Sequence, residues 1–146
     1  MRILLDTNVL ARAASGPPSL ANELVLAATR PEHSLLLSPF LVSELSRVLR
    51  YERLRAVHGL DEMGIDQFIA DLQAVAEMVL VSGTPDAVVA ADPQDDPVIA
   101  LAVVGRADVL CTKDRHLLRR EVVDYCAPHN VEVVSDLSLM DRLRTA

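Results

Sequence analysis

The first apolar run of the chain is the feature that most limits its possible folds. Residues 2–5 read Arg-Ile-Leu-Leu, and the run ends at Asp6. Such a short apolar run between polar residues is typical of a buried strand rather than of a helix. Because strands buried on both faces occur mainly in parallel sheets, we expect this strand near the centre of one. Ligands of open parallel sheets bind just beyond the carboxyl ends of the strands, where Asp6 would lie.

Strands and helices alternate along the rest of the sequence. Short apolar runs predict four more strands, at residues 35–37, 78–81, 109–111 and 131–134. Helical spacing of apolar residues and helix-stop signals predict helices at residues 7–14, 19–28, 39–49, 61–76, 98–104, 114–120 and 136–144, and a shorter helix or loop at 51–60. This alternation predicts an α/β fold with a mainly parallel sheet. Without a linker, repeat or low-complexity segment, residues 1–146 are expected to form a single domain.

Composition excludes several classes of protein. The hydrophobic fraction of 51% allows a real core and rules out a disordered acidic tail. No apolar run reaches the roughly 18 residues that cross a bilayer. The first residues also lack the pattern of a signal or transit peptide, so we expect a cytoplasmic protein with no membrane partner. The two cysteines and four histidines form no CxxC, HxxxH or mixed cluster, which argues against zinc.

The net charge and the distribution of basic residues lead to different conclusions about nucleic-acid binding. A formal charge of −7 argues against broad nucleic-acid binding. More than half of the 14 basic residues, however, fall within two short stretches, residues 47–55 and 113–120. Either stretch alone is also explained as a solvated helix face, so charge by itself leaves the question open.

The acidic residues carry the functional signal. Asp6 and Asp114 end predicted strands, Asp95 and Asp96 open an almost wholly apolar helix, and Glu44 lies beside the apolar stripe of another helix. Each position has a structural explanation when taken alone. The aspartates could be helix caps, and Asp96, which precedes Pro97, fits a cap best. A carboxylate beside an apolar stripe costs free energy unless it is paired, so Glu44 could instead form an ion pair with an arginine.

Together, these acids predict a metal site. Two strand ends place Asp6 and Asp114 at one edge of the sheet, and the helix that Asp96 begins should open at that edge too. Carboxylates that converge repel one another unless a cation lies among them. Ligands that are all oxygen suit Mg²⁺ or Mn²⁺, not zinc. Such ions can activate water and stabilise charge at a phosphorus undergoing in-line displacement.

Four motifs give the chain a resemblance to a known family. They are ILLDTNVL around Asp6, SPFLVSELSRVL around Glu44, DPQDDPVIALAVVGRADVL around Asp95, and LCTKDRHLL around Asp114. Each motif alone is weak, but four in this order and spacing are fairly specific. Over nearly its whole length, the chain resembles the PIN domain, as in VapC-type toxins of toxin–antitoxin pairs.

The resemblance implies a fold, an activity and partners. The fold would be a three-layer α/β/α sandwich whose five strands follow the order 3-2-1-4-5. The activity would be cleavage of RNA dependent on Mg²⁺ or Mn²⁺, by the toxin of a type II toxin–antitoxin pair. A cognate antitoxin and a homodimer are the partners implied besides the RNA substrate.

The resemblance also assigns residues. Asp6, Glu44, Asp95 and Asp114 would form a catalytic, metal-binding acidic quartet, with Asn8 and Thr112 as polar neighbours. Many family members carry an acid followed by Asn before the buried helix, where this chain has two acids. Counting back from the apolar run favours Asp95 as the ligand, whereas members with a shorter spacing would favour Asp96. With Asp95 as the ligand, Asp96 would be a helix cap and a supporting group at the metal site.

An acidic site needs basic residues at its rim if it is to bind RNA phosphates. Arg47 and Arg50 follow Glu44 on the same predicted helix, and Lys113 and Arg115 flank Asp114. The sequence therefore predicts RNA contacts at these four residues.

Parts of the sequence are also compatible with two other functions. A phosphatase of the haloacid-dehalogenase type also begins with a strand that ends in Asp. It needs a second acid two residues later, where this chain has Asn8. The other alternative is a PIN-fold module that binds nucleic acid or protein without catalysis, which loss of one of the four acids would favour. Phosphate-binding loops of the GxGxxG and GKT types are absent from the sequence.

Overall fold

The protein forms a five-stranded sheet flanked by helices. The structure is a computed structural model that describes residues 1–82 and 96–145. The strands are β1 (Arg2–Leu5), β2 (Ser34–Leu37), β3 (Glu77–Met78), β4 (Val109–Cys111) and β5 (Glu132–Val134). The helices are α1 (Thr7–Ala13), α2 (Leu20–Ala28), α3 (Pro39–Leu49), α4 (Glu52–His58), α5 (Glu62–Val75), α6 (Asp96–Val104), α7 (Arg120–Cys126) and α8 (Asp136–Thr145).

The strand order is β3-β2-β1-β4-β5, and every described pairing is parallel. β1 therefore lies at the centre, as its continuous apolar sequence predicts. The predicted α/β sandwich with a five-stranded parallel sheet is confirmed. Right-handed crossovers place α6 and α7 on one face of the sheet and the helices between β1 and β3 on the other.

The carboxyl ends of three neighbouring strands lie side by side. Leu5 pairs with Cys111, and Cys111 pairs with Val134. The ladder extends one residue further, since Asp6 N donates to Cys111 O at 2.9 Å and Thr112 N donates to Val134 O at 3.1 Å. The register thus brings the residues that follow β1, β4 and β5 to one edge of the sheet, which we call the carboxyl edge.

Helix α6 runs antiparallel to the strands. Its carboxyl end lies at the opposite edge, because Arg2 Nε, at the start of β1, donates to the carbonyl of Gly105 at 2.9 Å. Arg2 also forms an ion pair with Glu77 at the start of β3. Nine helical residues span about 13 Å, so the first turn of α6, with Asp96, opens toward the carboxyl edge.

The core is almost entirely aliphatic. All apolar residues of β1, β2 and β4 are at most 2% exposed, and α3 buries Leu41, Leu45 and Leu49 against them. Cys111 and Cys126 are both buried and free. None of the helices described is long and apolar enough to cross a membrane.

Several element boundaries differ from the sequence-based predictions. The third strand covers Glu77–Met78 rather than 78–81, and Leu80, beyond its end, is 78% exposed. The predicted helix at 114–120 is wrong. Residues after Asp114 form a turn, in which Leu117 N and Leu118 N both donate to Asp114 O, and the helix starts at Arg120.

The last helix has its cap one residue before its first turn. Ser135 Oγ accepts from Ser138 N at 3.2 Å, so Ser135 caps α8, and Asp136 stands in its first turn.

Candidate active site

Asp6 is the most buried acid of the predicted quartet among the described residues, with 5% of its surface exposed. It follows β1 and caps α1: its Oδ1 accepts from Thr7 N at 2.7 Å. Its Oδ2 accepts from Thr112 Oγ1 at 2.9 Å, across the junction between β1 and β4. Both carboxylate oxygens are thus fixed in direction by one hydrogen bond each.

The pKa of Asp6 is raised from 3.8 to about 6. Burial is the largest cause, and the negative charges of Glu44 and Asp114 add to it. The hydrogen bonds from Thr112 and Thr7 act in the opposite direction, lowering the pKa, but they do not offset burial. The structural role of Asp6 as a cap and its place in an acidic cluster therefore coexist.

Glu44 projects from the second turn of α3 and is half-buried. Its Oε1 accepts a hydrogen bond of 2.7 Å from Thr7 Oγ1. The ion pair with an arginine that the sequence left open is not formed with any described residue. Thr7 itself, 4% exposed, was missed by the sequence analysis. Its position directly after Asp6 was the available signal, because a hydroxyl there reaches the same strand end.

Asp114 lies half-buried in the turn after β4. Its Oδ1 accepts from His116 N at 2.8 Å, and its own backbone N donates to Thr112 Oγ1 at 2.9 Å. The Thr112 hydroxyl thus accepts from the backbone of one acid while it donates to the side chain of another. This single hydroxyl holds Asp6 and Asp114 in a fixed relation.

The remaining predicted site residues are Asp96, Asp95 and Asn8. Asp96 is 6% exposed in the first turn of α6 and has an interaction partner. Asp95, the expected third acid of the quartet, lies outside the described residues. Asn8 is half-buried, and its Oδ1 is a buried oxygen without a hydrogen-bond donor in the described part of the chain.

The donor chemistry suits a hard divalent cation. Asp6, Glu44 and Asp114 offer carboxylate oxygens, and the unpartnered amide oxygen of Asn8 is a further acceptor. Within residues 1–82 and 96–145, however, no three His, Cys, Asp or Glu side chains are close enough to hold a metal ion. The charges of Glu44 and Asp114 raise the pKa of Asp6, yet these three acids do not form a complete ligand shell.

The four basic residues predicted to contact RNA differ in whether their side chains already have a partner within the protein. Arg47 donates to the Tyr51 hydroxyl and lies 5.8 Å over its ring. Arg50 pairs with Glu62 at 2.8 Å and with Asp66 at 2.9 Å. Arg115 is exposed, and its side chain forms no bond with a described residue.

Lys113 is tied to an acid that the sequence analysis did not assign to the site. Its Nζ lies 3.0 Å from Asp136 Oδ2. Asp136, 9% exposed, directly follows Ser135 beyond the end of β5. The rule that selected Asp6 and Asp114, a carboxylate beyond a parallel strand end, would have found it too.

The fold and this edge define a parallel α/β domain with an acidic site at its strand ends. The family model of the PIN domain matches residues 2–116, and the chain belongs to that family. A comparison with curated protein sequences finds no significant match.

Among solved structures, the chain is similar to a chain of VapBC2 from Rickettsia felis bound to a DNA fragment from their promoter. The two chains are 15% identical with a TM-score of 0.59, over 92% of this chain and 98% of that one. At this identity the likeness shows the shared fold alone.

Proposed function

We propose that this PIN-domain protein is a ribonuclease that uses Mg²⁺ or Mn²⁺ to hydrolyse RNA phosphodiester bonds. The observation that carries the proposal is the buried carboxylate of Asp6, whose pKa of about 6 reflects both its burial and the nearby charges of Glu44 and Asp114. A cluster of negative charge at a strand end is costly to maintain without a cation. Membership of the PIN family, whose members are generally nucleases that typically use divalent metal ions, supports the same conclusion.

In this proposal the acids bind the metal together. Asp6, Glu44 and Asp114 bind the metal from three elements, with Asp95 as the fourth ligand and Asp96 as its neighbour. Thr7 and Thr112 orient the carboxylates through hydrogen bonds of 2.7 and 2.9 Å. Such hydrogen bonds to metal ligands typically contribute tenfold to hundredfold to metal affinity or activity. When bound, the metal would activate the attacking water and neutralise charge on the phosphoryl group.

The acids also explain why RNA hydrolysis needs the cation. A cluster of carboxylates repels an RNA phosphate, so the phosphate to be cleaved can enter the site only when positive charge balances the acids. Asp6 is mostly protonated below pH 6, according to its pKa of about 6. Because a proton and the metal compete for this carboxylate, we expect the apparent affinity for the metal to weaken as the pH drops below the metal-free pKa of Asp6.

The direct test is cleavage of a single-stranded RNA by the purified protein in EDTA, Mg²⁺ and Mn²⁺. We expect no cleavage in EDTA, recovery with either metal, and loss of activity in Asp6→Asn. Asp141→Asn, at an exposed position of α8, is the matched control and should cleave like the parent. Undiminished cleavage in excess EDTA would contradict the metal mechanism. RNA binding without cleavage in any metal would favour the non-catalytic binding module.

We further propose that the protein is the toxin of a type II toxin–antitoxin pair and forms a homodimer. Its similarity in fold to a chain of VapBC2 supports an antitoxin partner. Expression of the chain alone should arrest growth, and co-expression of a small protein encoded beside it should relieve the arrest and yield a complex. Growth arrest by Asp6→Asn equal to that by the parent would separate toxicity from ribonuclease activity. Light scattering of the isolated chain tests the dimer.

A further inference from the structure

We propose that the RNA backbone crosses the β4–β5 side of the acidic site, on a basic surface formed by Lys113, Arg115 and Arg119. We call this surface the β4 rim. The inference rests on the proposed ribonuclease function and deepens it, because it selects one of the two basic stretches as the RNA surface. Arg47 and Arg50 are excluded from that role.

Topology places the β4 rim at the acidic site. Lys113 and Arg115 flank Asp114 directly beyond β4. Arg119 precedes α7, a helix that connects β4 to the parallel strand β5 and therefore begins near the carboxyl edge. Leu117, fully buried between these basic residues, anchors the segment to the core. The rim is thus a fixed part of the fold at the same edge as Asp6.

The arginines of the β4 rim are available for a ligand. Arg115 and Arg119 are exposed, and neither side chain has a hydrogen bond or ion pair within the part of the chain that the structure describes. The adjacent Arg120 has a side chain that is 91% exposed, and its distance of 3.6 Å to Asp124 makes only a weak surface pair. The guanidinium groups of Arg115 and Arg119 therefore keep their donors free of described partners, and phosphate oxygens of RNA are acceptors that fit them.

Lys113 is held in place rather than free. Asp136 Oδ2 accepts from its ammonium at 3.0 Å, while Asp136 Oδ1 accepts from Leu137 N at 2.9 Å. The buried carboxylate is therefore fixed at both oxygens and fixes the lysine in turn. An ammonium has three donors, so two remain for a phosphate after this pair is formed. Asp136 is a positioning residue in this arrangement.

Arg47, Arg50 and Arg55 differ from the arginines of the β4 rim in both position and availability. α3 starts at the carboxyl edge and runs away from it, so Arg47 and Arg50 lie about 4.5 and 9 Å further along the axis than Glu44. Arg50 is shared between two acids of α5, and Arg55 forms an ion pair with one of them, Glu62. These pairs fasten α4 and the end of α3 to α5, a structural role that the sequence alone did not reveal.

Salt dependence of RNA binding tests the assignment without requiring cleavage. A fluorescent single-stranded RNA of mixed sequence is titrated with protein in EDTA over a range of salt concentrations. Each phosphate contact to single-stranded RNA contributes about 0.7 to the slope of log affinity against log salt. Arg115→Gln/Arg119→Gln should therefore lower the slope by about 1.4. Arg47→Gln/Arg50→Gln should leave the slope unchanged, even where it lowers the melting temperature.

The chain offers a control with the same change in net charge. Arg30 and Arg106 are exposed, lie in the connections that enter β2 and β4 at the opposite edge, and have no side-chain partner among the described residues. Arg30→Gln/Arg106→Gln should keep the parent slope. An equal loss of slope in this control would mean that net charge alone acts, and would overturn the proposal. So would a loss confined to Arg47→Gln/Arg50→Gln.

The positioning role of Asp136 has its own readout. Asp136→Asn keeps the acceptor for Leu137 N but releases Lys113, so binding should weaken in this variant and in Lys113→Met. The double variant should bind no more weakly than Lys113→Met alone. Additive losses would overturn the positioning role.

This test is separable from that of the proposed function. A parent that cleaves RNA while the β4 rim variant keeps its slope overturns this inference alone. A parent that binds through the rim but never cleaves overturns the ribonuclease alone.

Discussion

At the scale of single residues, Asp6 is both a helix cap and a buried acid of the carboxyl edge. It caps α1 through Thr7 N, yet it remains an acid whose folded-state pKa is raised from 3.8 to about 6. A cap alone would favour the ionised form. The raised pKa means that the cost of burial and of the neighbouring charges exceeds the gain from capping.

This shift predicts how stability depends on pH without metal. A raised acid pKa contributes stability that is fully present below the unfolded-state pKa and is lost as the pH rises through the folded-state value. Asp6→Asn does not titrate. Its free energy of unfolding relative to the parent should therefore increase between pH 3.8 and about 6, and then remain constant. A shift of this size corresponds to about 3 kcal/mol.

Denaturant unfolding in EDTA across this pH range provides the measurement. Asp141→Asn, with an exposed side chain, is the control for replacing a carboxylate by an amide. A difference between Asp6→Asn and parent that shrinks as the pH rises would contradict the raised pKa. It would show instead that the charged form of Asp6 stabilises the fold.

A second prediction concerns Thr7, whose hydroxyl donates to Glu44 at 2.7 Å. Thr7→Val keeps the shape of the side chain but leaves Glu44 without this donor. We expect RNA cleavage to fall about tenfold to hundredfold, with a loss of stability of about 1 kcal/mol. Thr7→Ser retains the hydroxyl and should retain most of the activity. If both variants lose activity equally, packing of the Thr7 methyl group, not orientation of Glu44, is the relevant interaction.

At the scale of elements, the sequence predicts best where one local signal decides the structure. The apolar run before Asp6 predicted β1, and the helix predicted at residues 39–49 matches α3. Prediction from the sequence failed where tertiary contacts determine the structure. The turn after Asp114 is stabilised by hydrogen bonds to that residue's own backbone and side chain, so the periodic stretch at 114–120 does not form a helix.

The same limit applies to the candidate site. Strand ends identified Asp6 and Asp114, because their position depends only on a parallel sheet. The partners of Arg50, two acids on α5, depend on how two helices pack, and no spacing along the sequence encodes that contact. The link from Thr112 to Asp6 joins residues 106 positions apart, so only the register of β1 with β4 could reveal it.

The close approach of α6 to the sheet gives a prediction at this scale. A Cβ added at Gly105 would lie 2.9 Å from Leu101 O and 3.1 Å from Leu36 Cδ1. Since the nearer atom belongs to the backbone, Gly105→Ala should displace the end of α6 and cost about 1–3 kcal/mol of stability in denaturant unfolding. The adjacent Val104 is 52% exposed, and Val104→Ala should change stability by about 0.5 kcal/mol or less. Equal stability of Gly105→Ala and the parent would show that α6 shifts freely against β2.

On the scale of the whole molecule, the residues of the candidate site come from elements that are far apart in the sequence. β1, α3, the turn after β4 and the start of α6 all reach the carboxyl edge, so folding itself assembles the acids. The unfolded chain holds these carboxylates far apart and has no comparable affinity for a cation. A metal that binds only the native state must therefore stabilise the entire fold.

The last prediction follows from this linkage. At Mg²⁺ one hundred times above its dissociation constant, binding stabilises the native state by about 2.7 kcal/mol. For a domain of this size, that should raise the melting temperature by roughly 5–10 °C. Asp6→Asn removes one ligand from the proposed set, so its melting temperature should rise less, although it starts at or above that of the parent in EDTA. Mn²⁺ should act in the same direction as Mg²⁺.

Thermal melts of both proteins, with and without metal, need NaCl of matched ionic strength as the control for screening. Screening of a chain with net charge −7 would stabilise parent and variant alike. Only binding at the carboxyl edge makes the two proteins respond differently. An identical shift in parent and variant would therefore mean that the cation acts elsewhere. If Asp6→Asn melts well below the parent in EDTA, the main role of Asp6 is to stabilise the fold.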